Sequence, residues 1–167
     1  MRKHFLFGLT GSLALFLFSL NGLNAFQDSP KPPDGHPAEP GQRSAWPNAR
    51  LRGGGTVDLR EVPGPEAESH DDVYLTDLEG GLVSVTNPRL GMRFSLAFDH
   101  QVFRWLIAWQ PYGGAKELPL TGAYALGVEP WVSQLPLGEA IAAGEAIELG
   151  AGAFFSTSLS VEAEWLP

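Results

Sequence analysis

A chain of 167 residues, 44% hydrophobic and 18% charged, is long enough to bury one core and too apolar to be disordered throughout. It contains no cysteine, which excludes a disulfide framework, a thiolate metal site, a cysteine nucleophile and a lipoprotein anchor. Its formal charge is −8, and loss of Arg2 and Lys3 would carry it two units further negative. Such a surface repels the phosphate backbone, so no nucleic-acid partner is expected.

Met1 to Ala25 opens on Arg2, Lys3 and His4, runs through an apolar stretch from Phe5 to Leu20 and closes on Asn21-Gly22-Leu23-Asn24-Ala25. This is the three-part layout of a secretory signal peptide, with Ala25 as the last residue before cleavage. As a helix the apolar stretch would span about 24 Å, short of the roughly 30 Å hydrocarbon core. Export to a periplasmic or extracellular space is therefore expected, with membrane attachment only if the leader stays uncleaved. Without a genuine leader the location would be cytoplasmic.

From Phe26 to Ser69 the material changes. Eight of the chain's 14 prolines fall between Pro30 and Pro65, together with Gly53-Gly54-Gly55. Proline removes backbone donors and glycine raises the entropy cost of ordering, so 26–69 reads as an arm or linker. Trp46-Pro47 and Val57-Asp58-Leu59 are the parts of it expected to pack as a short extended edge.

Beyond His70 the period is two. Met92, Phe94, Leu96 and Phe98 alternate with Arg93, Ser95, Ala97 and Asp99; Phe155 to Trp165 alternates in the same way with serines and glutamates. Both read as half-buried antiparallel strands. Further strands are expected at 73–78, 82–86, 103–109, 124–128 and 146–149, with one helical turn over 137–143. Glu79-Gly80-Gly81 has the length of a hairpin turn between the first two. The fold class predicted for 70–167 is all-β, an antiparallel β-sandwich.

Leu126-Gly127-Val128-Glu129-Pro130, followed by Gly144-Glu145-Ala146-Ile147-Glu148-Leu149 and a long closing strand, resembles the C-terminal part of the aldose 1-epimerases, the galactose mutarotase-like superfamily. The resemblance runs from about Trp46 to the C-terminus. It implies the supersandwich fold of that family in an incomplete form, corresponding to its C-terminal half. It also implies a hexose or related carbohydrate as ligand; no cofactor is expected, and no spacing of His, Asp and Glu in the chain forms a metal site.

Anomers interconvert when a base takes the proton of the anomeric hydroxyl while an acid protonates the ring oxygen. By the resemblance Glu129 is the base, provided its carboxylate faces a cleft; as a residue alone it reads as a solvated glutamate at a strand end, with Pro130 stopping the strand and setting a turn. The resemblance makes Asp71 a ligand of sugar hydroxyls, with Asp72 where the family often has a histidine. The alternative is that both are turn residues capping a strand. The family's acid is a histidine in the half this chain does not match, and of the histidines here only His70 and His100 lie downstream of the arm.

Aromatic side chains on strands are mostly core, but Trp109, Tyr112 and Trp131 lie at strand exits where a face could stack on a sugar. Three readings stay open: an epimerase-like enzyme of the isomerase class, a non-catalytic carbohydrate-binding sandwich, and a fragment without independent activity. A sandwich with an uncovered face also invites self-association, or a second chain that completes it.

Overall fold

The computed structural model describes residues 17–18, 24–26, 38–39, 41–116 and 118–167. The rest of the expected leader and the first part of the arm lie outside the described residues. No helix among the described residues is long and apolar enough to cross a membrane.

The architecture is all-β and sandwich-like. One antiparallel sheet runs in the order β1 (Leu17–Phe18), β7 (Leu82–Asn87), β8 (Met92–Phe98) and β11 (Leu159–Trp165). A second runs β10 (Gly127–Trp131), β9 (Trp105–Tyr112), β6 (Ser69–Thr76), β2 (Asn24–Phe26) and β3 (Arg43–Ala45). A small third sheet pairs β4 (Asn48–Arg50) with β5 (Thr56–Asp58), and one short helix, α1 (Leu137–Ala142), follows β10.

The core forms where the two large sheets face each other. Alternation along β6 turns Val73 and Leu75 inward, and across the pair they meet Ala108 and Leu106 of β9. Val83 and Val85 of β7 and Leu96 and Phe98 of β8 supply the opposing layer. Leu75 has no exposed surface. Its truncation to alanine would cost about 2–5 kcal/mol, the usual range for a fully buried leucine.

Part of the proline- and glycine-rich stretch is built into this core. Ala49, Leu59 and Val62 are all buried in it. Gln42 holds the segment closed: its Nε2 donates to the carbonyls of Glu39 and Arg50, and its Oε1 accepts from Arg50 N at 2.7 Å. An extended chain rich in prolines keeps its place here because a buried side-chain amide satisfies the backbone groups that a sheet would otherwise pair.

Three strand expectations need correction. Glu79-Gly80-Gly81 does not close a hairpin, because β6 and β7 belong to different sheets and the turn carries the chain from one layer to the other. Residues 146–149 form no strand, and Ile147 and Leu149 are exposed. The closing strand begins at Leu159 and not at Phe155. The expected helical turn is present as α1. The strand expected over 124–128 runs instead over Gly127–Trp131, and Pro130 sits within it; the edge position of β10 tolerates it.

Candidate functional site

The register of β6, β9 and β10 assigns each candidate side chain to a face. Val128 packs on the core, so its neighbours Gly127, Glu129 and Trp131 point to the outer face of the sheet. Opposite them across β9 stand Trp109, Ile107 and Trp105. One strand further, Asp72 pairs with Trp109 and Tyr74 with Ile107. The outer face thus carries three indoles and two carboxylates.

Gly127 creates the notch at its centre. A β-carbon placed there would lie 2.9 Å from Glu129 Oε1, 3.2 Å from Trp109 Cε3 and 3.3 Å from Trp109 Cβ. The Trp109 ring and the Glu129 carboxylate therefore close over the same glycine. On the other side Trp131 Nε1 donates to Glu129 Oε2 at 3.2 Å. Glu129 thus accepts from one indole, Trp131, which is 41% exposed, and shares the Gly127 notch with the ring of Trp109.

His70 also lies on this face, edge-on to Trp109 with ring centroids 6.4 Å apart and planes at 79°. It sits beyond Trp109 from Glu129, two strands across and four residues along, about 16 Å between α-carbons by strand geometry. Asp72 stands directly across from Trp109, and its Oδ1 is buried without a donor among the described residues.

Asp71 and Tyr112 are on the other face. Asp71 is in phase with Val73 and Leu75 and lies opposite Gln110; both of these polar side chains are buried. Tyr112, opposite Ser69, is buried against Tyr124 with ring centroids 5.9 Å apart. Its hydroxyl has no hydrogen-bond partner among the described residues. Burial above all, then the nearby Tyr124 and Asp71, pushes its ionisation far above the ordinary tyrosine range.

The structure therefore brings Glu129, Trp109 and Trp131 together and keeps Asp71 and Tyr112 apart from them. Sequence reasoning overlooked Gly127 as part of the face, and it ranked Trp105 below Trp109, Tyr112 and Trp131. The signal was available in the period of two, since Gly127 and Trp131 flank Glu129 at the same-face spacing. Among the described residues no three His, Asp or Glu side chains group as metal ligands. His100, the other downstream histidine, follows β8 in the turn beyond Phe98, on the four-stranded sheet.

Chemically, a carboxylate flanked by indoles offers acceptors for hydroxyl groups beside apolar ring surface. No protein-family model, curated protein or solved structure matches this chain.

Proposed function

We propose that this chain is a carbohydrate-binding protein of the aldose 1-epimerase type, which takes a neutral hexose on the outer face of its five-stranded sheet. The observation that carries the reading is Glu129 bound by Trp131 Nε1 beside the notch at Gly127 that it shares with the ring of Trp109. In it, Glu129 accepts hydrogen bonds from sugar hydroxyls while Trp109 and Trp131 cover the C–H faces of the ring. Asp71 and Tyr112 support the sheet from its inner side and take no part in contact.

Binding is favoured over anomer interconversion by the spacing of the ionisable groups. The ring oxygen and the anomeric oxygen share one carbon, so acid and base must converge on a few ångströms. His70 is about 16 Å from Glu129 along the sheet, too far to serve with it on one sugar. Interconversion would need another acid, and Asp72 is the nearer ionisable side chain on the face.

Titration of the chain with glucose and galactose, followed by calorimetry and tryptophan fluorescence, tests the reading. Saturable heat and an emission change, both weakened in Glu129→Gln, are expected. Folded protein that gives neither with any hexose sinks it. Polarimetry of freshly dissolved α-glucose and α-galactose separates binding from catalysis: the rate of anomer interconversion should equal that of buffer. A rate above buffer that disappears in Glu129→Gln would instead make the chain an epimerase.

A further inference from the structure

The last strand of the four-stranded sheet, β11, is exposed along its whole length. It pairs with β8 on one side, from Leu159 opposite Phe98 to Trp165 opposite Met92, and among the described residues nothing pairs with its other side. Leu166 N donates to Gly91 O at 2.6 Å, towards the β7–β8 turn. By alternation the backbone groups of Leu159, Val161, Ala163 and Trp165 open onto the free edge.

This edge is apolar on the face that continues the core layer. Val161 is 58% exposed and Trp165 78%. Long, uncharged edges invite pairing, and proteins that stay monomeric usually blunt them with inward charges, prolines or bulges. None of these interrupts 155–165 on the apolar face.

The opposite face explains which strand fits. Its carboxylates, Glu162 and Glu164, lie in one half of the run, while the other half carries only Ser156 and Ser158. Glu164 is already held by Arg93 Nη1 at 3.0 Å on the β8 side. A two-fold axis through Ser160 would set each glutamate of one copy opposite a serine of the other. The same axis places Trp165 opposite Phe155 and Val161 opposite Leu159. Moving the axis to Glu162 would instead stack that carboxylate on its own copy, which is destabilising. An axis through Val161 would also set each glutamate opposite a serine, but it puts Trp165 opposite Thr157 and leaves Phe155 without a partner, so the axis through Ser160 is the one that pairs the large apolar side chains as well.

We infer that β11 is the dimerisation edge of this protein, pairing antiparallel with β11 of a second copy about Ser160. Residues 155–158, exposed and outside any strand in the single chain, become strand in the dimer. The product is a continuous sheet across two chains, closed because the symmetry uses up both edges.

The chain has no cysteine, so Ser160→Cys introduces a single thiol on the proposed axis. Facing residues of a non-hydrogen-bonded antiparallel pair sit about 4.5 Å apart at Cα, within disulfide reach. Mild oxidation of the full chain should convert Ser160→Cys to a covalent dimer, while a thiol on α1, Glu139→Cys, should stay monomeric. In sedimentation equilibrium Ser158→Glu, which faces Glu162 of the other copy twice per dimer, should weaken association about tenfold. Ser158→Lys should strengthen it. Near-ultraviolet circular dichroism confirms that each variant is folded. A monomer at every concentration, a dimer indifferent to the charge at 158, or equal cross-linking of the two thiols would each overturn the assignment.

Discussion

Glu129 and Asp71 lie on opposite faces of one sheet, Glu129 opposite Ile107 on the outside and Asp71 opposite Gln110 within. No single sugar can touch both. Their substitutions should therefore separate cleanly into binding and folding effects. Glu129→Leu removes a charged acceptor and should weaken hexose binding by about tenfold or more in calorimetry. Asp71→Ala takes a buried polar group away from the Gln110 side chain, and should cost about 1–3 kcal/mol in urea unfolding while leaving affinity within about twofold. Loss of affinity in folded Asp71→Ala would put the ligand on the inner side.

The notch at Gly127 gives a sharper test of the same face. An added β-carbon would meet Glu129 Oε1 and the edge of Trp109. The carboxylate is the far end of a flexible side chain and can swing away, so Gly127→Ala should fold normally. Its thermal midpoint should match or exceed wild type, since glycine is a poor strand residue. Hexose affinity should fall severalfold because the carboxylate has left its place beside Trp131 and the notch. Wild-type affinity in this variant would show that the notch does not shape the site.

Two neighbouring glycines at the sheet-to-sheet crossing should behave differently. A β-carbon at Gly81 would fall 1.7 Å from the carbonyl oxygen of Phe98, whereas one at Gly80 meets nothing within 4 Å. The Gly81 carbonyl also accepts from Phe98 N at 2.8 Å, tying the crossing to the end of β8. Backbone on both sides of the clash leaves little room to yield. Gly81→Ala should destabilise by about 1–3 kcal/mol, the range for overpacking, and Gly80→Ala by no more than about 0.5 kcal/mol. Equal chemical denaturation midpoints for the two would contradict the close approach.

The period of two placed β8 to within one residue, Asp99, because its neighbours pair along nearly all of it and one face is buried. The same pattern in 155–158 gave no strand. Phe98 is the last β8 residue to pair with β11, and beyond it Asp99 turns the chain, accepting from Phe103 N at 2.8 Å. Alternation records a preference for extended backbone, and a strand also needs a partner at that level of the sheet. For the site, parity already placed Asp71 with Val73 and Leu75. Comparing short segments drew it towards Glu129, since that comparison ignores the face on which a residue falls. The Glu79-Gly81 turn misled for a related reason: its length fits a hairpin, but length says nothing about which sheet the next strand joins.

Tyr112 supplies a prediction in which only pH need be varied. Its hydroxyl is buried without a partner among the described residues, and burial raises its ionisation well above the ordinary value of 10.0. A group whose folded-state pKa is raised contributes stability that is fully present below the unfolded pKa. That stability is lost as pH climbs towards the folded value, because the unfolded chain releases its proton first. The native state should therefore weaken progressively above about pH 10. Tyr112→Phe removes this proton linkage and also removes an unsatisfied hydroxyl, so it should be neutral or mildly stabilising at pH 7. In urea unfolding at pH 8 and pH 11, the difference between wild type and Tyr112→Phe should grow in favour of phenylalanine at the higher pH. A difference that stays constant between the two would mean that Tyr112 ionises as easily in the folded chain as in the unfolded one, and that its hydroxyl reaches water.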